Sequence, residues 1–364
     1  GSDMQRALAL VAEDGRLRAS PGDLLPYNTA GLANAPTSAD PSFFLAGDVR
    51  ANEQVGLTAL HTLFVREHNR IVGLLEGIPT LTDPLLRYQI ARALVGAQMQ
   101  RITYAEFLPL LLGPDALAAY GGYDPAVTPS IANEFSTAAY RVGHTMLPDE
   151  LLRLDEQLRP HPAGSLSLAE AFFVPAEIEE HGIDPILRGL SVQLAMAIDT
   201  RLTDGVRNYL CGPPGAGGLD LAALNIQRGR DHGLPDYNTA RVQMGLAPVQ
   251  SFGQITSEAA LAGRLRQLYG DVDDIDLWIG GLAEDPAPGS LLGPLFHAIV
   301  ADQFTRLRDA DSYWYEGALP FDLIRWVDER SLADVIRDNT DIGFELADDV
   351  FRSAATTSQL LASR

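Results

Sequence analysis

The sequence has few of the residues that several protein classes depend on. It contains one cysteine, Cys211, so an internal disulfide framework is excluded and we expect the thiol to be structural. Basic residues are also scarce: 27 Lys and Arg stand against 48 Asp and Glu, for a formal charge of -21. Such a charge repels nucleic acid and anionic lipid, so we expect no nucleic-acid partner. No apolar run approaches the roughly 20 residues that a membrane span needs, so none is expected.

Sequence motifs of several common chemistries are missing as well. There is no Gly-x-Ser-x-Gly, Cys-x-x-Cys, Walker sequence or dinucleotide fingerprint. The glycine-rich run 212–218 lacks the lysine and Ser/Thr of a phosphate loop and indicates a hinge or turn. The acidic run 271–276 lacks the glycine and terminal glutamate of a calcium loop and indicates a solvated turn. His61 and His68 are too far apart on one helix for a shared metal, so packing or hydrogen bonding is expected.

What the sequence has is helical periodicity. Few stretches alternate with period two, so the predicted fold class is mainly α, with little β. At 364 residues one large or two medium domains are possible on length, but no repeat or clear boundary is visible. We therefore predict a single domain over residues 1–364. The predicted helices cover residues 3–11, 57–75, 84–102, 105–120, 131–147, 167–173, 190–210, 237–244, 257–269, 290–308 and 331–337.

The stretch Thr137 to Leu147 attracts most interest. On a helical wheel an apolar stripe forms one side and His144 projects from the other, beside Gly143, which would let a flat ligand approach the backbone. Ile131, Phe135, Ala138, Val142 and Met146 form the stripe. Such a histidine could hold a haem iron axially. A lone helical histidine is more often a hydrogen-bonded structural residue, so partners must decide between the two roles.

Possible partners are an asparagine and several arginines beside glycine or turn residues. A guanidinium group suits carboxylates, and haem carries two propionates. The carbonyl of Asn225 could hold the second ring nitrogen of an iron-binding histidine. The arginines are Arg50, Arg141, Arg228 and Arg230.

Five long blocks and two shorter ones resemble, in order, those of the animal haem peroxidase family, in a bacterial version, over essentially the whole chain. The long blocks are Phe44-Leu45-Ala46-Gly47-Asp48-x-Arg50-x-x-Glu53, Leu57-Thr58-x-x-His61-Thr62-x-x-x-Arg66-Glu67-His68-Asn69-Arg70, Arg141-x-Gly143-His144-Thr145, Gly182-Ile183-Asp184-Pro185-Ile186-Leu187-Arg188-Gly189-Leu190 and Leu224-Asn225-x-Gln227-Arg228-x-Arg230-Asp231-His232-Gly233-Leu234-Pro235. The shorter ones are Asp276-Leu277-Trp278-Ile279-Gly280-Gly281 and Arg337-Asp338-Asn339-Thr340.

The resemblance implies haem b as the cofactor and His144 as the proximal iron ligand. It implies that Asn225 is the hydrogen-bond partner of that ligand and that Arg50 is the distal arginine which polarises peroxide. Glu53 matches the glutamate that forms an ester to a haem methyl. Arg141 and Arg228 match arginines near the haem, for which propionate contact is the physically sensible role.

Two departures from the family pattern stand out. Gln54 occupies the place of a haem-bonded methionine in the vertebrate myeloid enzyme, so no sulfonium link is expected. The distal-histidine block and the calcium-binding loop have no counterpart, so the chain resembles the C-terminal two-thirds of the catalytic domain. Calcium then belongs to the complete domain, a missing N-terminal segment is an expected partner, and this chain alone should be a weak peroxidase or inactive.

The resemblance implies an enzyme that reduces hydrogen peroxide and oxidises small organic or halide donors, and a secreted or extracellular bacterial protein. A fatty-acid dioxygenase of the same superfamily is one alternative. Those enzymes place a radical tyrosine three residues before the histidine, where this chain has Arg141, with Tyr140 four before. A degenerate, non-catalytic haem-binding domain is the other alternative.

Overall fold

A computed structural model describes residues 3–35, 39–210 and 218–352, and these are mainly helical, which confirms the predicted fold class. The chain divides into two compact units. The first unit comprises residues 1–102, 150–194 and 322–364, and the second comprises residues 103–149 and 195–321. The single domain over residues 1–364 stays a prediction. Cys211 and residues 212–217 of the glycine-rich run lie outside the described residues.

Most of the regular structure consists of α-helices of four to 22 residues. They are α1 (Met4–Leu10), α2 (Val55–Glu76), α3 (Pro84–Ile102), α4 (Leu108–Leu112), α5 (Asn133–Thr137), α6 (Pro175–His181), α7 (Asp184–Val192), α8 (Asp204–Arg207), α9 (Leu221–Asp231), α10 (Tyr237–Gln243), α11 (Ala259–Tyr269), α12 (Leu277–Ala283), α13 (Pro294–Asp309), α14 (Tyr315–Ala318), α15 (Phe321–Asp328) and α16 (Leu332–Asn339).

Shorter elements complete the secondary structure. The 3₁₀-helices are Ala139–His144, Leu168–Ala171, Phe252–Gln254 and Val272–Asp274, and a π-helix covers Thr103–Phe107. Strand β1 (Glu150–Leu151) pairs antiparallel with β2 (Leu166–Ser167), the one sheet within the described ranges. No described helix is both long and apolar enough to cross a bilayer. Secretion and bacterial origin stay predictions.

The first unit is organised around α2, the long amphipathic helix that the sequence predicts. Gln54 caps it, because its Oε1 accepts a hydrogen bond from the Leu57 amide at 3.0 Å. The helix packs against α3, α6, α7 and α16 of the same unit. Its fully or nearly fully buried apolar side chains are Val55, Ala59, Leu63, Ile71 and Val72.

A buried carboxylate joins these helices. Glu67 of α2 has no exposed surface. Arg70 donates to both its oxygens, at 2.7 and 2.8 Å, and the amides of Gln98 in α3 and Asn339 in α16 each donate at 2.8 Å. Its lone pairs are therefore satisfied by three helices of one unit, as a buried charge requires.

The second unit has one apolar core, to which α10, α11, α12 and α13 contribute. Two glycines let α12 approach its neighbours closely. A Cβ at Gly280 would overlap the ring of Tyr237, and a Cβ at Gly281 would overlap the ring of Phe296. Both glycines are thus required by packing in the unit that also carries His144.

The helix predicted over residues 190–210 is wrong. α7 ends at Val192, and between residues 193 and 210 only the four residues of α8 are helical. Gln193 leaves the helix because its side chain accepts from the Leu152 amide at 3.1 Å and donates to the Glu150 carbonyl at 2.5 Å. These partners are distant in sequence, so local periodicity could not show them.

Other predicted elements differ less. The helices predicted near residues 84, 237, 257, 290 and 331 are confirmed as α3, α10, α11, α13 and α16. The prediction over 105–120 shrinks to α4, and that over 167–173 is a four-residue 3₁₀-helix. Helices that the sequence did not predict are α6, α7, α9, α12, α14 and α15.

Candidate functional site

The segment that carries His144 is not the single helix that its periodicity predicts. α5 ends at Thr137, Ala138 has φ -137° and ψ -74°, and a 3₁₀-helix follows from Ala139 to His144. The Thr137 hydroxyl donates to the Asn133 carbonyl at 2.6 Å, and such back-bonding competes with the continuing helix. The prediction of one helix over 131–147 is therefore wrong in its continuity.

The apolar stripe predicted for this segment is confirmed in part. Phe135, Ala138 and Val142 are buried against the core of the second unit. Ile131 is half exposed. Phe135, Ala138 and Val142 are buried as predicted because the break at Ala138 leaves the apolar sides of both short helices facing the same core.

The 3₁₀-helix changes which residues share a face with His144. Side chains at i and i+3 eclipse in a 3₁₀-helix, whereas in an α-helix they lie roughly 60° apart. Arg141 is three residues before His144, so the two side chains lie in line. This register brings both within reach of one partner.

That partner is Asn225, the one buried residue of α9. Asp220 caps α9 by accepting from the amides of Ala222 and Ala223 at 2.9 and 3.1 Å, and α9 packs against α5 and α12. The Asn225 amide nitrogen lies 2.8 Å from His144 Nδ1. Three of the six predicted site residues, His144, Asn225 and Arg141, thus meet in the second unit.

The Asn225 amide is turned opposite to the orientation that the sequence suggested. Its Oδ1 accepts from Arg141 Nη1 at 2.8 Å, so its NH₂ group faces His144. An amide NH₂ can only donate, so Nδ1 of the ring accepts here. Nε2 has no hydrogen-bond partner in the part of the chain that the structure describes.

The electrostatics favour a neutral imidazole. Burial, and then the charge of Arg141, lower the pKa of His144, against a smaller opposite effect of the Asn225 hydrogen bond. Burial and the charge of Arg228 lower the pKa of Arg141. The side chain of Arg228 is exposed, and within the described ranges neither guanidinium pairs with a carboxylate. The cluster therefore places a neutral imidazole beside two arginines that have no carboxylate partner among the described residues.

Gly143 borders open space. A Cβ placed there would meet nothing within 4 Å, so the packing of the chain itself does not demand glycine at this position. The gap beside His144 that the sequence suggests is present.

Arg50 and Glu53 belong to the first unit. Arg50 forms a bidentate pair with Asp48, from Nε at 3.0 Å and Nη2 at 2.8 Å, and its side chain is 64% exposed. This pair lowers the pKa of Asp48 to about 2. Asp48 is the partner that sequence reasoning missed, although the spacing Asp-x-Arg was visible. Glu53 directly precedes Gln54, the cap of α2.

Other residues singled out in the sequence have structural partners. Arg230 pairs with Asp276 through two hydrogen bonds of 2.8 Å. Asp271 caps the 3₁₀-helix Val272–Asp274, which agrees with an acidic turn. His68 Nε2 lies 3.2 Å from the Gly15 carbonyl oxygen, which confirms the hydrogen-bonding role expected for this histidine.

The first unit also has a cavity of about 910 Å³ that is lined by polar side chains. Its three arginines are already engaged: Arg66 donates to the carbonyls of Asp23 and Asn339, Arg70 pairs with Glu67 at 2.7 Å, and Arg188 pairs with Glu345 at 2.9 Å. The cavity therefore offers no unpaired cation that would select a ligand.

A family model for animal haem peroxidase matches residues 1–351. The chain is 45% identical to peroxidasin of Drosophila melanogaster over 284 residues, which are 76% of this chain and 19% of that protein. The chain thus spans about a fifth of the length of this relative.

Solved structures give the same picture. Peroxidase A of Dictyostelium discoideum has a TM-score of 0.88 at 35% identity, with 95% of this chain and 68% of that chain covered. A fatty acid alpha-dioxygenase of Oryza sativa has a TM-score of 0.80 at 22% identity, with 97% and 64% covered. The second likeness concerns the fold alone.

Proposed function

Since the chain belongs to the animal haem peroxidase family, we propose that it binds haem b and thereby reduces hydrogen peroxide while oxidising small organic or halide donors. One observation carries this proposal: His144, Asn225 and Arg141 are joined by two hydrogen bonds of 2.8 Å, and Nε2 of the histidine has no partner among the described residues.

The chemistry of this donor set fits haem. A neutral imidazole is a common axial ligand of haem iron. The guanidinium groups of Arg141 and Arg228 suit the two propionates, because a carboxylate is the strongest partner that either could gain. The open side of Gly143 leaves room for a flat group. When bound, haem would supply the redox-active iron that peroxide and donor react with.

The residues of the chain have separate tasks in this proposal. Burial keeps His144 neutral, so that one of its two ring nitrogens carries a lone pair. Asn225 orients the ring, and the Glu53 carboxylate would hold the haem by an ester to a methyl group, with hydrogen peroxide taking up the two electrons of the methyl C–H bond. Arg50 donates from Nε and Nη2 to Asp48. In this proposal its Nη1 stabilises the charge that develops on the departing oxygen of peroxide.

A base must also take the peroxide proton, and the sequence has no counterpart of the distal-histidine block. General acid–base catalysis contributes about 10²–10⁴-fold, so we propose slow turnover for this chain by itself. Calcium and a further N-terminal segment are expected only with the complete domain.

The dioxygenase alternative is not favoured. Peroxidasin of Drosophila melanogaster and peroxidase A of Dictyostelium discoideum are 45% and 35% identical to the chain, whereas the dioxygenase is 22% identical. Arg141 occupies the position three before His144 where a dioxygenase has its tyrosine. The ring of Tyr140 stacks on Phe135 at 4.7 Å and meets Phe304 edge-on at 5.6 Å.

Haem titration of matched histidine variants tests the proposal. The wild-type chain should give the Soret band of a histidine-ligated haem, and His144→Ala should abolish it. His232→Ala is the control, because His232 is an exposed histidine that hydrogen-bonds Asn133 at 2.9 Å; it should leave the spectrum intact. An unchanged Soret band in His144→Ala would overturn the assignment. Haem binding without peroxide turnover would identify the non-catalytic alternative.

A further inference from the structure

The second unit contains a series of aromatic rings in contact with one another, and the series starts near His144. We propose that these rings carry electrons from Trp314 to the haem, so that Trp314 is a second oxidation site for electron-rich aromatic donors, such as phenols, that stay at the protein surface. The inference rests on the proposed haem-binding function and extends it to a further class of donor.

The series begins at Tyr140, four residues before His144 in the same 3₁₀-helix. Such a helix rises about 2 Å per residue, so the two residues lie roughly 8 Å apart along its axis. The ring of Tyr140 meets Phe304 edge-on at 5.6 Å, Phe304 meets Tyr104 at 5.8 Å, and Tyr104 meets Trp314 at 4.7 Å. Centroid distances of about 4.5–7 Å are those of aromatic pairs in direct contact. The rings therefore form a continuous path for electrons.

The path ends at Trp314 because of the hydrogen bonds that its members make. A tyrosine gives up its proton when it loses an electron, but the Tyr104 hydroxyl donates to the Phe304 carbonyl at 2.7 Å, and a carbonyl is a poor base. An indole can lose an electron and keep its proton. Trp314 Nε1 donates to a carboxylate oxygen of Glu316 at 3.1 Å, and this negative charge stabilises a positive one on the ring. An oxidised state is thus more stable on Trp314 than on Tyr104.

The other two tryptophans of the chain lack this arrangement. Nε1 of Trp278 is buried and has no acceptor among the described residues. The guanidinium of Arg330 lies 5.5 Å above the ring of Trp326, and a cation at that place opposes a second positive charge. Trp314 is therefore the tryptophan best suited to hold a radical cation.

A donor reaches Trp314 through its neighbour Tyr120. Trp314 is 3% exposed, whereas Tyr120 is half-buried and its ring lies 5.8 Å from the indole. Burial and three carboxylates raise the pKa of Tyr120, against an opposite effect of Arg308; the carboxylates are Glu316, Asp309 and Asp311. The surroundings are thus mainly negative, which favours neutral or cationic donors over anionic ones.

The electrons and protons balance with hydrogen peroxide as the oxidant. One peroxide molecule takes up two electrons and two protons and becomes two molecules of water. Trp314 passes the electrons on one at a time to the haem that peroxide has oxidised. After each step its radical cation recovers an electron from a phenol, which releases its proton to water and becomes a phenoxyl radical. Trp314 ends each cycle unchanged.

Turnover of a phenol coupled to dextran, which keeps the phenol at the protein surface, tests the site in the haem-loaded chain. Trp314→Phe keeps an aromatic ring in place and should lose oxidation of the dextran-bound phenol while it still oxidises free phenol. Trp326→Phe is the matched control and should behave like the wild type with both donors. Equal rates for the dextran-bound phenol in Trp314→Phe and the wild type would overturn the proposal.

Glu316→Gln keeps an acceptor for the indole but removes the charge. It should slow oxidation of the dextran-bound phenol by about two- to fivefold, the size expected for one exposed charge. A faster rate in this variant would contradict the role of the carboxylate.

The radical itself is a second readout. With tryptophan deuterated on the indole ring, peroxide should produce an electron paramagnetic resonance signal whose hyperfine splitting narrows. Trp314→Phe should lose this signal and Trp326→Phe should keep it. A signal that survives in Trp314→Phe would place the radical elsewhere and refute the proposal.

A measurement without haem separates this inference from the proposed function. A ruthenium photo-oxidant attached to the cysteine of Tyr140→Cys, in a chain that also carries Cys211→Ser, starts the oxidation at the first position of the series. A flash should produce the absorbance of an indole radical, and additional Trp314→Phe should remove it. An indole radical that persists without Trp314 would refute the path. Failure of haem to give a histidine-ligated Soret band would refute the proposed function and leave this result unaffected.

Discussion

Replacing Glu67 by alanine should destabilise the first unit severely. The carboxylate is fully buried, and its loss leaves the Gln98 amide without its acceptor. Arg70 keeps Asp338 at 3.4 Å and the Asn339 amide keeps the Val335 carbonyl at 2.8 Å, but both lose their partner in Glu67. Removing one partner of a buried ion pair costs about 3–5 kcal/mol. Arg70 is 25% exposed and can recover some hydration, whereas Gln98 is 0% exposed and cannot. We therefore expect the lower end, about 3 kcal/mol.

Glu76→Ala is the matched control. Glu76 lies on the same helix and also makes a two-pronged pair with an arginine, Arg16, at 2.8 and 2.8 Å. Both partners are about one-third exposed, so water replaces the interaction when it is lost. This variant should unfold like the wild type.

Urea unfolding and thermal melting of the haem-free chain measure the difference. A loss of 3 kcal/mol should lower the melting temperature by roughly 6–12 °C for a unit of this size. If Glu67→Ala and Glu76→Ala unfold at the same urea concentration, burial does not control the strength of these carboxylate pairs and the reasoning is refuted.

Three further predictions concern packing, protons and the haem link. Gly281→Ala should cost about 1–3 kcal/mol because its Cβ overlaps the Phe296 ring, whereas Gly263→Ala in α11, with open space around it, should gain up to about 1 kcal/mol; equal melting temperatures would contradict both. The lowered pKa of His144 means that the neutral ring is favoured, so haem affinity should stay constant as pH falls and drop only below the ordinary value of 6.5; Soret titrations that weaken above that pH would contradict this. Glu53→Gln should leave haem extractable by acidic organic solvent, and haem that stays attached would place the ester on another residue.

Much of the fold follows from local sequence. α2 and α3 are long, periodic and flanked by capping residues or a proline at the first helical position, so their limits follow from the chain itself. The arginine-rich α9 was missed, because Gly229 and its polar neighbours indicate turns. Its stability comes from the Asp220 cap and from packing against α5 and α12, which involves residues far away in the sequence.

In the candidate site, too, the residue types could be predicted from sequence, whereas the contacts between distant residues could not. The chemical types at His144, Asn225 and Arg141 were predicted from sequence, and the structure brings these three together. The direction of the Asn225 amide could not be predicted, since it depends on whether Arg141 or His144 is nearer to Oδ1. The pairing of Arg50 with Asp48 was equally hidden, although both residues stand in the quoted motif.

The break at Ala138 also divides the backbone into two short helices, α5 before it and the 3₁₀-helix Ala139–His144 after it. In an uninterrupted α-helix, a slip of one residue anywhere upstream would rotate His144 by about 100° and carry its ring away from Asn225. Here α5 stops before the 3₁₀-helix begins, so a rotation of α5 is not carried to the histidine through one continuous helix. Substitutions in α5 should therefore move His144 less than substitutions within Ala139–His144, where the i, i+3 alignment of Arg141 with His144 is set. In this segment α5 anchors the chain in the core, and the 3₁₀-helix sets the direction of the His144 side chain.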